Sequence, residues 1–179
     1  MMQTTSNYLL WRGDQWDLLV LPYDQENQEL QLAMAILLPK ETDIKELERN
    51  FTWENWQQGL SKLQMETVSL ILPRFRIEDR IDLNTVAKSL GLTLIFSPEA
   101  DFSGMTGQKG IYVNKAIHKT FVRVDEKGTD ASGAMAGLEL AEELGREAPY
   151  KFIADHPFIF VIWDQKTESI LFMGRLSLP

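Results

Sequence analysis

His118 and His156 are the only two histidines in the 179-residue chain, and it contains no cysteine. A Ser-His-Asp site would have to use one of these two imidazoles. A hydroxyl nucleophile, with Ser103 or Ser132 as candidate, would need a histidine as base and a carboxylate to orient it. His118, however, falls in the middle of an apolar-alternating stretch, and no Gly-x-Ser-x-Gly string supplies a nucleophile elbow. The plain reading of His118 is a buried side chain hydrogen-bonded to neighbouring backbone. Metal binding has no better support, because the two histidines are far apart in sequence and no carboxylates cluster at ligand spacing. Without cysteine there is no thiolate nucleophile, no Cys-zinc site and no disulfide. "SGMTGQKG" (Ser103–Gly110) faintly resembles a phosphate loop, but it lacks the G-x-x-x-x-G-K-[ST] spacing and does not lead from a strand into a helix. Trp53 and Trp56 suit core and rim packing better than a ligand platform. No catalytic residue, metal site or cofactor is predicted, and the chain is expected not to be an enzyme.

The elements around these residues point to a mixed fold with more strand than helix. The chain is long enough for one domain, 44% of it is hydrophobic, and its net charge is −8. That charge argues against a nucleic-acid surface, which wants clustered Lys and Arg. No apolar run approaches the ~18 residues of a membrane span. The opening "MMQTTSNYLLWRGDQW" lacks a basic region followed by an apolar one and is not expected to be a signal peptide. "WDLLVLPY" and "LQLAMAILLP" have strand length, with "DQENQE" as a polar hairpin connection, and the second should be buried on both faces. "TDIKELERNF" and "TWENWQQGLSKLQ" switch to helical spacing, with Asp43 and Thr52 as caps. "METVSLILPRFRIEDRIDL" alternates as strand and is divided or bent at Pro73. "LNTVAKSLGL" is a short helix ending at Gly91, and "SPEADFSGMTGQKG" is a loop. "IYVNKAIHKTFVRV" is a long strand, "LELAEELGREAPY" a polar loop, and "PFIFVIWD" and "SILFMGRL" two central core strands joined by "QKTE".

One stretch fits none of these classes. "VDEKGTDASGAMAG" (Val124–Gly137) follows the long strand and consists mostly of small residues. It is too long for a tight turn and has no Asn-Gly or Pro-Gly. It cannot be an ordinary core strand, because only Met135 would bury much area. A flexible linker would also be rich in Gly, Ser and Ala. A linker does not explain the acidic, Gly-Thr entry at Glu126 to Thr129.

That stretch resembles the hinge of the serpins, the serine protease inhibitor family, in its Glu-x-Gly-Thr-acidic-Ala pattern. "ADHPFIFVIWDQKTESILFMGRLSLP" is similar to the family's terminal signature. "LPRFRIEDRIDLNTVAKSLGLTLIFSPEADFSGMTGQKGIYVNKAIHKTFV" resembles the segment between, with its Ala-Asp-Phe-Ser-Gly and Ile-His-Lys-x-Phe elements. The likeness runs over essentially the whole chain, with several motifs in the family's order. It implies an α+β, serpin-like multi-sheet fold, present in part: the small core sheet, part of the third sheet, two strands of the large sheet and few helices. It further implies that residues 1–179 are the C-terminal portion of a single serpin domain, with 128–150 an exposed reactive-centre loop.

The resemblance also implies a mechanism. A protease attacks the loop as bait and forms an acyl-enzyme. The cleaved loop then enters the large sheet as a new strand and distorts the protease before deacylation. Residues entering a closed sheet must be small, since a bulky one would force packed neighbours apart at a cost of ~1–3 kcal/mol. With Gly128 as hinge, Thr129, Ala131, Gly133 and Met135 share the face suited to burial, and Asp130, Ser132, Ala134 and Ala136 share the other. Counting forward from Gly128 by the family's usual spacing places the bait bond at Glu142–Glu143. Counting back from "DHPF" places it at Arg146–Glu147. Arg146 suits a trypsin-like target with an acidic specificity pocket. Glu142 suits an acid-preferring one. His118 corresponds to a histidine expected to steady the sheet until it opens, and Glu126 is expected to pair with Arg74.

A complete family member is considerably longer than this chain. Aligned on its motifs, the chain starts after the third strand of the large sheet, so one wall of the slot for the inserting loop is expected to be missing. Taken alone it is expected not to trap a protease. Three origins are open: one chain of a split serpin whose N-terminal half is the partner, a truncated or incomplete reading frame, or an excised fragment, with truncation or incompleteness favoured. The alternative to inhibition is a non-inhibitory fragment or binding module. The resemblance is compatible with an extracellular or periplasmic location.

Overall fold

The computed structural model describes residues 1–23, 31–40, 43–125 and 149–177. It forms two compact units, Met1–Phe75 with Val124–Pro179, and Arg76–Arg123.

The first unit is built on β1 (Met2–Arg12), β2 (Trp16–Pro22), β3 (Leu32–Pro39), β4 (Gln64–Leu72), β7 (Tyr150–Ile153), β8 (Phe158–Asp164) and β9 (Ser169–Leu176), with helices α1 (Ile44–Asn50) and α2 (Trp53–Ser61). The strands join in one seven-stranded sheet in the order β7-β4-β1-β2-β3-β8-β9. The core and third sheets expected from the sequence are thus hydrogen-bonded into one. The eleven-residue β1 makes the junction. Its first part pairs with β4, from Met2 opposite Leu72 to Leu10 opposite Gln64. Its last part pairs with β2, from Leu9 opposite Val20 to Arg12 opposite Asp17.

Burial follows position in this order. β2, β3 and β8 lie between other strands and are buried almost throughout, as their continuous apolarity predicts. Their period of two places Leu18, Val20, Ala33, Ala35, Leu37, Ile159, Val161 and Trp163 in one core cluster with Leu47 of α1 and Trp56 of α2. On α2, Trp56 is buried and Trp53 exposed, in line with core and rim. Both helix starts are capped where the sequence places them. Asp43 accepts a hydrogen bond from the Lys45 N–H, and the Thr52 hydroxyl accepts one from the Asn55 N–H.

Two expectations about the last strands need correction. Among the described residues β9 pairs with β8 alone, and Ile170 to Met173 are exposed rather than central. Aromatic and branched residues report a fit to a pleated, half-buried surface and do not by themselves specify a central position. Tyr150, assigned to a polar loop, instead begins β7, a four-residue strand running parallel to β4. Its anchor, the buried Phe152, lies just beyond the polar stretch that dominated the sequence pattern.

The second unit contains most of β5 (Phe75–Asp82) and β6 (Ile117–Val124), with α3 (Leu83–Ser89), a 3-10 turn (Leu94–Phe96) and α4 (Ser103–Thr106). β5 and β6 form a two-stranded sheet. Pro73 separates β4 from β5, as the sequence predicts. α3 ends in a glycine stop: Gly91 has φ +92°, and the Leu92 N–H returns to the Ala87 carbonyl at 2.9 Å. The segment taken as pure loop contains α4, because the Asp101 carboxylate accepts from the Ser103 N–H and Gly107 takes φ +73° at the other end. The long strand expected from Ile111 begins only at Ile117. Before it, the Asn84 side chain holds the chain out of any ladder, donating to the Asn114 carbonyl and accepting from the Ala116 N–H. The Val113 N–H is likewise taken by the Ile95 carbonyl.

Candidate functional site: the strands on either side of residues 126 to 148

The hinge positions Glu126, Gly128, Thr129, Asp130, Ala131, Ser132, Gly133 and Ala134 lie outside the described residues, as do the bait positions Glu142, Glu143, Arg146 and Glu147. The chain enters this stretch from β6, whose last residue Val124 is buried, and re-emerges at β7. β6 pairs with β5 alone among the described residues, so its other edge carries no ladder there.

His118 contradicts one expectation directly. It is exposed on β6, and its side chain makes no hydrogen bond among the described residues. A strand of a two-stranded sheet can leave whole side chains in solvent, so a mid-strand position does not guarantee burial. His156 is the histidine with partners: Nε2 lies 2.7 Å from the Pro39 carbonyl and Nδ1 2.9 Å from Asp155 Oδ1. This contact holds the Asp155 carboxyl below its ordinary range. Ser103 donates its N–H to Asp101 at the start of α4 and has no histidine beside it. No nucleophile–base pair and no metal-ligand cluster is formed among the described residues. Arg74 stands between β4 and β5, and its expected partner Glu126 is outside the described residues.

The site that sequence reasoning missed is at the start of β7. The Tyr150 hydroxyl donates to Asp17 Oδ2 at 2.5 Å. Asp17 is only 5% exposed, and Lys40 Nζ stands 3.7 Å from its Oδ1. The Arg12 guanidinium lies 5.3 Å from the centre of the Tyr150 ring and 3.5 Å from Glu66. Burial first, and then the bond to the Asp17 carboxylate, push the Tyr150 hydroxyl up to about 12, so it is a neutral donor at ordinary pH. Asp17 in "WDLLVLP", one charge in a strand otherwise apolar, was the available signal.

The fold is therefore an α+β assembly of one broad sheet and a two-stranded sheet bearing few helices. A sequence model described as "Serpin (serine protease inhibitor)" matches residues 1–179. The chain belongs to the serpin family, and what it forms is a partial serpin fold. It is 44% identical to Serpin B8 of Bos taurus over 153 residues, 83% of this chain and 40% of that protein. It is 39% identical to the leukocyte elastase inhibitor of Sus scrofa over 168 residues, 90% of this chain and 43% of that protein. Among solved structures, uncleaved ovalbumin superposes with a TM-score of 0.86 at 24% identity, over 99% of this chain and 47% of that one. A tumour suppressing serpin gives 0.76 at 29% identity, over 99% and 46%. The chain thus spans about two-fifths of the length of these curated relatives. No helix among the described residues is long and apolar enough to cross a membrane.

Proposed function

We propose that this polypeptide is the C-terminal, loop-bearing portion of a suicide-substrate inhibitor of serine proteases, and that residues 128–150 are its reactive-centre loop. One observation carries the reading. The hinge-like string "DEKGTDASGAMAG" leaves directly from the end of β6, a strand whose second edge has no ladder partner among the described residues. A narrow strand added at that edge is what loop insertion requires, and Thr129, Ala131, Gly133 and Met135 are the face it would bury. The order of hinge and terminal signature supports placement in the C-terminal part of the family's length. The target is a serine protease, trypsin-like if Arg146 is the bait and acid-preferring if Glu142 is. Because the chain spans about two-fifths of these relatives' length, inhibition is proposed for the whole protein.

The test pairs this chain and a version extended by the upstream coding sequence with trypsin. The extended protein forms a covalent complex that survives SDS, and the released peptide starts at Glu147. The 179-residue chain is cut at the same bond with no complex. An acid-preferring protease that releases a peptide starting at Glu143 selects the other bond. A peptide starting at Leu144, or anywhere beyond Ala148, rules out both.

A further inference from the structure

The start of β7 is held by a side-chain contact in addition to its ladder, in which Tyr150 stands opposite Val68. The strand has four residues, runs parallel to β4, and lies at the end of the sheet with one neighbour among the described residues. Its far end is secured conventionally: Phe152 is 1% exposed, and the Ala154 N–H donates to the Ile71 carbonyl at 2.9 Å. Its near end has only Tyr150, which is half-buried. That residue's hydroxyl reaches a buried carboxylate on β2, a strand that is not its neighbour.

We propose that Asp17 and Tyr150 form a clasp that fixes the point where the chain re-enters the sheet after residues 126–148, with Arg12 and Lys40 as its supports. Arg12 sits against the Tyr150 ring while engaging Glu66 on β4, and Lys40 at the end of β3 faces the second Asp17 oxygen. The four charges sum to zero, so Asp17 is balanced without a counter-ion from solvent. A hydrogen bond from a neutral phenol to a carboxylate is charge-assisted and among the stronger side-chain bonds. Asp17 Oδ1 has no hydrogen bond among the described residues, so Tyr150, bonded to Oδ2, is the donor the described residues supply to this carboxylate. The two residues are positioning residues. Their importance for inhibition rests on the loop assignment above, because they would set where the C-terminal end of the bait is tethered.

Amide hydrogen exchange on the 179-residue chain tests the clasp without any protease, so a failure of the bait assignment leaves the result intact. Tyr150→Phe keeps the ring and removes one hydroxyl. It is expected to speed exchange at Lys151 and Phe152 about tenfold or more, as loss of a charge-assisted bond implies. Exchange in β3 and β8 should not change. In an Asp17→Asn background the same substitution should have a clearly smaller effect, because the carboxylate it served is gone. Exchange that rises equally across β3, β7 and β8 means general loosening and overturns the proposal. Unchanged exchange at Lys151 and Phe152 overturns it as well, and so does full additivity of the two substitutions.

Discussion

The Cβ that Gly174 lacks would lie 2.6 Å from Cζ of Phe160, the residue directly opposite it on the neighbouring strand. The phenyl ring of Phe160 occupies the space of the missing side chain. It is 2% exposed and has the Phe75 ring 5.5 Å away, so it has little room to yield. The glycine of "LFMGR" is thus required by a close approach and not by its backbone angles.

Gly174→Ala is accordingly expected to cost about 1–3 kcal/mol through overpacking. Urea unfolding measures it as a lower midpoint at constant slope. Introduced into a Phe160→Leu background, where the ring is gone, the same alanine should cost almost nothing. An equal loss in both backgrounds would show that the ring is not the obstacle.

Asp164 controls acid stability at the β8–β9 turn. Its carboxylate accepts from the Thr167 hydroxyl at 2.6 Å, the Gln31 N–H at 2.9 Å and the Lys166 N–H at 3.2 Å. These bonds, Thr167 first, hold its carboxyl below the ordinary 3.8. Because the folded value is depressed, the stabilisation is complete above the unfolded value and disappears as pH falls through the folded one. Asp164→Asn should therefore be clearly less stable than the parent near neutrality. The two should converge in acid below the normal carboxylate range, as followed by denaturation at a series of pH values.

Tyr150 gives the opposite limb. Its folded value, about 12 against 10.0 unfolded, is raised, so the clasp stabilises fully below pH 10.0 and is lost as pH rises through about 12. Burial also raises the Tyr8 and Tyr23 hydroxyls, so Tyr150 is identified by difference: ultraviolet titrations of the parent and of Tyr150→Phe should differ by one phenol in that late range. Tyr150→Phe should delete the step, and Asp17→Asn should move it down toward 10.0. No difference between the two titrations in that range would assign the late step to another tyrosine.

Glu126→Lys probes the expected pair with Arg74. Reversing the charge two residues after β6 in the sequence should lower thermal stability and promote loop–sheet polymers, seen by native electrophoresis after mild heating. Unchanged melting together with unchanged polymerisation means that the two residues do not pair.

Much of the fold was legible because it depends on neighbours in sequence. The caps at Asp43 and Thr52, the glycine stop at Gly91 and the division at Pro73 are set by atoms within a few residues. The continuous apolarity of β3 announced a strand covered on both faces. What failed turned on distant partners. Asn84 shortens the strand expected from Ile111 by engaging residues 30 and 32 positions away. β7 is four residues long, too short for alternation to register, and exists because β4 offers it a parallel edge. The composition of β9 could not reveal that it has a single ladder partner among the described residues.

The sequence by itself determined the family and the small-residue string after β6, because each is a pattern of residue types along the chain. Only the tertiary structure decided that His118 faces solvent, that Gly174 yields its space to Phe160, and that Asp17 holds Tyr150 across an interval of 133 residues. A lone acid in a buried strand signals that a partner must exist, since an unpaired buried carboxylate is too costly. Which residue that partner is depends on how the sheet brings its strands together.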